Sequence, residues 1–351
     1  MAIASATTPV VVDRTDRAPL PGASVFDSTG KMIGMTDADG NLPQLTQTAY
    51  PITIRSLGYN DRILDTPEDS VFLTERVYQL PEIEVGAADR NVVRLICYVR
   101  EYSNVVSDNI SSSMFIEYMV DYFLPRKGAK KAKAQRKPRQ LTWRGFSHTT
   151  NNSGLDSVAY MKYNSSMFSW LDLIELDEKP VVAPDRMKNG AVSDSVAGKS
   201  GLKNLYRQTD NSFTTTFDAL AGKKDHTWSP MAFKLLGLTM DVNGMMMSRT
   251  FMRTASGEYL PEDLTNASYT FNATGRGKWI RKAFDSQNPV DLKAYIEIYV
   301  VDREYLPAEE AKTLMKNDNV RMKIRRPADA PPLDPATRAL IDRALAERDQ
   351  K

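Results

Sequence analysis

A period of two over Ser113-Met-Phe-Ile-Glu-Tyr-Met-Val-Asp-Tyr-Phe-Leu124 limits what this chain can fold into more than any other stretch does. Met114, Ile116, Tyr118, Val120 and Tyr122 fall on one face, and Phe115, Glu117, Met119, Asp121 and Phe123 on the other. A strand keeps two such sets apart; a helix, with 3.6 residues per turn, mixes them. Val92–Tyr102 shows the same Val, Ile and Tyr enrichment. Further on, Lys293–Val301 sets Ile296, Ile298 and Val300 against Glu297 and Tyr299. Arg139–Phe146, Ala267–Ala273 and Gly277–Phe284 are further strand candidates. Asn243-Gly244 lies between the apolar runs Leu235–Val242 and Met245–Met252, the pattern of a type I′ hairpin. Residues 147–212 are rich in Ser, Asn, Asp and Gly and read as long loops with short pieces of structure. The expectation is therefore a mainly β chain in which 92–325 form an antiparallel β domain with a few short helices.

Two helices are predicted late in the chain. Pro307–Met315 has Pro in its first turn and acidic residues near its positive end. Asp334-Pro335 caps a last helix, in 326–351, with Leu340, Ile341 and Leu345 on one side. Residues 9–86 instead read as short strands between turns: Val10–Val12, Ala23–Phe26, Lys31–Met35, Ile52–Ile54, Val71–Leu73 and Ile83–Val85. Pro43 removes a ladder donor from Leu42–Leu45, so that strand is expected to sit at an edge or to start late. Residues 1–8 form a tail and 87–91 a linker.

Three phrases in this part, Pro19-Leu-Pro-Gly-Ala-Ser-Val25, Thr36-Asp-Ala-Asp-Gly-Asn41 and Ser56-Leu-Gly-Tyr59, occur in the order and at the distances found in a known module. On them the segment resembles the carboxypeptidase-regulatory-like domain, a transthyretin-like or Ig-like β-sandwich. The resemblance implies an independently folding sandwich at the front of an exported protein of the Gram-negative cell envelope, in the periplasm or at the outer membrane. It implies a scaffold role, because this module is the non-catalytic companion of the peptidases that share its name. Residues 1–9 have neither a basic n-region nor an apolar h-region, so the export signal is expected to be absent from this chain. Asp27-Ser-Thr29, Asp69-Ser-Val71, Asp156-Ser-Val158 and Asp194-Ser-Val196 are similar to O-glycosylation sites of such bacteria.

Composition narrows the function further. The 351 residues suffice for about two domains. The net charge of +2 gives no global attraction to nucleic acid. No run approaches the roughly 18 apolar residues that a membrane helix needs. Cys97, the one cysteine, sits in an apolar strand pattern and reads as a buried small hydrophobe. The two histidines, His148 and His226, fall in no metal-ligand spacing, so no metal and no cofactor is expected. Asp37, Asp39 and Asn41 begin like a calcium loop, but its twelfth position is Thr48 rather than Glu. Glu117 and Asp121, four residues apart on a strand, are about 13 Å apart, too far to act on one bond. The chain is thus expected to be a non-enzymatic binding, adaptor or structural protein, whose partner is another envelope protein or envelope component.

Two local features carry the binding hypotheses. Arg126, Lys127, Lys130, Lys131, Lys133, Arg136, Lys137 and Arg139 are eight basic residues in a stretch with no acidic one. The plain reading is a solvated loop; the functional one is contact with an anionic surface such as lipid headgroups. Met240, Met245, Met246, Met247 and Met252 cluster around the Asn-Gly pair. They read as core filling or, alternatively, as an apolar groove of a lipid carrier with a curved open sheet. A hydrolase is the third reading.

Overall fold

The computed structural model describes residues 8–76, 90–126, 134–161, 170–171, 174–176, 179–198, 201–221, 227–228, 237–317, 320–328 and 330–350. The N-terminal part contains six short strands: β1 (Val10–Asp13), β2 (Ser24–Asp27), β3 (Met32–Met35), β4 (Ile52–Arg55), β5 (Arg62–Leu64) and β6 (Ser70–Leu73). β1 and β6 pair in parallel, while β3-β2-β4-β5 form a second, antiparallel sheet. Val11, Val25, Ile52, Ile54, Leu64 and Val71 meet between the two layers. Asp37–Asn41 is the expected tight turn, closed by Asn41 N–H and Asp39 N–H donating to Asp37 Oδ1, with Gly40 at φ 77°. Leu42–Leu45, expected as an edge or late-starting strand, forms no strand. The expected strand Ile83–Val85, the tail 1–7 and linker residues 87–89 lie outside the described residues.

The larger part is one antiparallel sheet. Its strands are β7 (Val92–Val106), β8 (Ile110–Pro125), β9 (Gln135–Asn151), β10 (Asp156–Met161), β12 (Ser193–Gly198), β13 (Gly201–Gln208), β14 (Ser212–Asp218), β15 (Thr227–Trp228), β16 (Thr239–Met252), β18 (Leu264–Arg276) and β19 (Val290–Leu306). They run in the order β10-β9-β8-β7-β19-β18-β16-β14-β13-β12, with β15 also paired to β16. A two-stranded pair, β11 (Val181–Val182) with β17 (Glu258–Tyr259), lies apart. Among the described residues the α-helices are α1 (Asp185–Lys188), α2 (Lys278–Ala283), α3 (Ala308–Met315) and α4 (Pro335–Asp349). Asp334 caps α4 as expected, accepting from Thr337 N–H at 2.8 Å.

Three expectations are corrected. Asn243-Gly244 is not a hairpin turn: β16 continues through it, and the pair forms a bulge against β18. Neither residue takes the positive φ that a type I′ turn needs. Gly277–Phe284 is not a strand but α2, entered through Gly277 at φ 119°. A Cβ there would lie 1.6 Å from Gly237 O. Residues 147–212 hold the end of β9, then β10, β12 and β13, rather than mainly loop.

The two faces of the sheet differ. On the first, Leu95, Cys97, Val99, Tyr118, Val120, Ile296 and Ile298 are buried with Phe271 and Phe251. Trp170, Leu171, Ile174, Leu176 and Met187 pack over them. Cys97 is buried here, and burial pushes its thiol pKa up. The second face is covered by the N-terminal sandwich and the C-terminal segment. Phe26 of β2 packs edge-on against Tyr102 and Tyr295, and Ile341 and Ala344 of α4 join the same cluster.

Candidate functional site

The second face is built in rows, each set by strand register. Tyr295, Tyr102, Phe115, Phe146 and Tyr160 stand opposite one another across β19, β7, β8, β9 and β10. The neighbouring row is Glu297, Arg100, Glu117 and Arg144, which alternates in charge across four strands. Glu117 is fully buried and accepts from Arg144 Nε at 2.7 Å and Arg326 Nε at 2.6 Å, as well as from Tyr98 O–H. Burial by itself pushes the Glu117 carboxyl up. The hydrogen bonds from Arg326 and Tyr98 and the Arg144 charge outweigh that and hold it below the ordinary value. Glu297 is buried 3.8 Å from Arg100. Arg100 donates to Pro331 O at 2.7 Å, and Arg326 comes from the same C-terminal stretch, so this segment straps the row down. The row is a buried ion network in which Glu117 is fully hydrogen-bonded, whereas both Glu297 oxygens are buried without a hydrogen-bond donor among the described residues and face the Arg100 charge.

In the predicted basic segment, each of the four described basic residues lies beside a carboxylate. Arg139 is bound to the buried Asp121, with Nε and Nη2 donating at 2.9 and 2.6 Å, and Arg94 donates to the same carboxylate at 2.7 Å. Arg126 donates to Glu262 at 2.9 Å. Arg136 and Lys137 both lie near Glu175, at 3.8 and 3.7 Å. The fold brings carboxylates from distant parts of the sequence to all four, and β9 takes in the segment from Gln135 onward. Lys127, Lys130, Lys131 and Lys133 lie outside the described residues, as does His226. His148 Nε2 pairs with Asp156 at 2.7 Å.

The methionines do not share one groove either. Met240 and Met247 are buried in the first-face core, with Met245 packed against it. The bulge shifts the alternation, so Met246 points the other way. There it meets Gly22 of the sandwich, where a Cβ would sit 2.7 Å from Met246 Cβ. Met252 is buried as well.

An open site lies elsewhere, where the sandwich rests on β14, β16 and β18. This cleft has a volume of about 260 Å³, near the small end of ligand pockets. Its sheet wall comes from a simple alternation: in Ser212-Phe-Thr-Thr-Thr-Phe-Asp218, Phe213 and Phe217 turn to the core while Ser212, Thr214 and Thr216 line the cleft. Register sets Thr214 against Thr250 and Thr216 against Ser248. Their hydroxyls pair at 3.1 and 2.7 Å, and Thr265 Oγ1 donates to Thr250 O at 2.9 Å. The opposite wall is Ser56–Tyr59 with Glu75 and Arg76.

Arg207 of β13 closes the end of the cleft and holds its walls together. Its guanidinium lies 2.8 Å from Asp13 and 3.0 Å from Asp16, and donates to Tyr59 O–H at 2.5 Å. Burial raises the Asp13 carboxyl pKa, but Arg207 and the Thr15 and Asp16 N–H groups outweigh it, so the net shift is downward. Glu75 shifts upward, through burial and then the neighbouring Asp13 charge. Of these residues the sequence marks only Ser56–Tyr59, and as a turn phrase rather than as a cleft wall. The Ser/Thr period of two at 212–216 was the available signal.

No protein-family model matches the chain, and no curated protein matches it. A solved structure of lipid–protein interactions in lipovitellin aligns at TM-score 0.31 and 9% identity, covering 62% of this chain and 26% of that one. This chain thus spans about a quarter of the other's length, and a likeness at that level carries no functional argument. Among the described residues no helix is long and apolar enough to cross a membrane.

Proposed function

We propose that this chain is a non-enzymatic binding protein of the Gram-negative cell envelope, and that it holds a polar envelope component in the cleft between sandwich and sheet. The observation that carries the reading is the hydroxyl-lined wall, with eight Ser or Thr residues around an open cleft whose other wall is the sandwich. The front part supports the envelope address through its resemblance to carboxypeptidase-regulatory-like domains. The lipid-carrier alternative is less well supported, because its methionines are divided between two faces and Trp170, Leu171, Ile174, Leu176 and Met187 occupy the first.

A thermal-shift series with muropeptides, core oligosaccharide of lipopolysaccharide and capsular polysaccharide tests the reading. A ligand that binds only the native state raises the melting temperature with concentration. One fraction should raise it saturably for the wild type and leave Ser248→Trp, which fills the cleft, unmoved. No shift with any fraction, or one that survives Ser248→Trp, contradicts the proposal.

A further inference from the structure

From the chemistry of the cleft wall we infer that the ligand is a neutral oligosaccharide; this rests on the cleft being the binding site. Charge comes first. Two arginines, Arg76 and Arg207, face two carboxylates, Glu75 and Asp210, around the cleft. Arg207 is already bound to Asp13, Asp16 and Tyr59, and Arg76 donates to Asn60 at 3.1 Å. An anionic ligand would meet two carboxylates and no uncommitted guanidinium, so phosphate, sulfate and uronate groups are disfavoured.

Hydrogen-bonding capacity comes second. Each paired hydroxyl couple, Thr214–Thr250 and Thr216–Ser248, uses one of its two protons internally. One donor and several lone pairs are left on each couple to face the cleft. The array therefore offers donors and acceptors together, repeated about 6.7 Å along each strand and 4.8 Å between strands. A chain of sugar rings presents the same mixture at short, regular intervals. A fatty acyl chain presents none of it and would leave these hydroxyls desolvated without partners, at a cost. Pro21 and Leu57 at the sandwich wall provide an apolar patch for the C–H side of a ring.

Calorimetric titration of the full chain tests this. The probes are maltohexaose, cellohexaose, xylohexaose and mannohexaose, then dextran sulfate, then phosphatidylglycerol–phosphatidylethanolamine vesicles. The key variant is Thr214→Val with Thr250→Val. Replacing both partners of one hydroxyl couple by isosteric apolar groups leaves neither unsatisfied, so the fold and melting temperature should hold. At least one neutral hexasaccharide should bind saturably, and about tenfold more weakly to the double variant, which is the loss of one to two net hydrogen bonds. Dextran sulfate or vesicles binding in a manner abolished by Ser248→Trp, with no neutral sugar bound, overturns the inference and leaves the cleft as the site. Absence of any binding that depends on Ser248 overturns both.

Discussion

Glu117 shows how strand register and the C-terminal segment together satisfy a buried charge. Three donors converge on its buried carboxylate, two of them arginines from β9 and the C-terminal strap. Removing one partner of a buried ion network leaves the rest uncompensated and costs about 3–5 kcal/mol. Glu117→Gln should therefore lower the unfolding free energy by roughly that amount at pH 7. The pH dependence follows from its depressed folded pKa. Stability from Glu117 is present above the ordinary value of 4.5 and is lost as pH falls through that value toward the folded one. The wild-type advantage should shrink over that range in urea titrations. A difference under about 1 kcal/mol at pH 7 would contradict the account. The alternation that put Glu117 and Asp121 on one face was legible in the sequence. Their partners Arg144 and Arg139 were not, because register across β8 and β9 decides which side chains meet.

Among the elements, the long strands were readable and the connections were not. β7, β8 and β19 follow from alternation and β-branched content, which local sequence records directly. Asn243-Gly244 carries a strong local turn signal, yet both flanking runs find neighbours in the same sheet, β18 on one side and β14 or β15 on the other. Tertiary pairing overrides the local preference, and the extra residue becomes a bulge. Gly277 is where backbone geometry is most confined. Gly277→Ala would drive a Cβ into Gly237 O from a φ of 119°. It should cost about 2–4 kcal/mol through strain and displaced backbone. Gly154→Ala, also at positive φ but with no atom within 4 Å, should cost only about 1 kcal/mol. Urea midpoints at constant slope separate the two, and equal costs would contradict this description of the β18–α2 junction.

At the scale of the molecule, sandwich and sheet share a hydrophobic cluster and ion pairs. Phe26 and Met32 of the sandwich share a core with Tyr102 and Phe115. Arg55 lies over the Tyr102 ring and pairs with Asp61 within the sandwich and Asp334 at the start of α4. Arg207 reaches from the sheet into the sandwich. An independently folding module was expected from its turns; which of its faces is covered is not written in them, so neither the docking nor the cleft could be read beforehand. Hydrogen–deuterium exchange of the full chain, with and without the neutral hexasaccharide that binds most tightly, tests the central claim most directly. The account predicts ligand-dependent protection at 56–59, 212–216 and 248–250, the two walls of the cleft. Protection confined to the opposite face of the sheet or to the basic segment 126–139, or no protection with any of the four sugars, would contradict it.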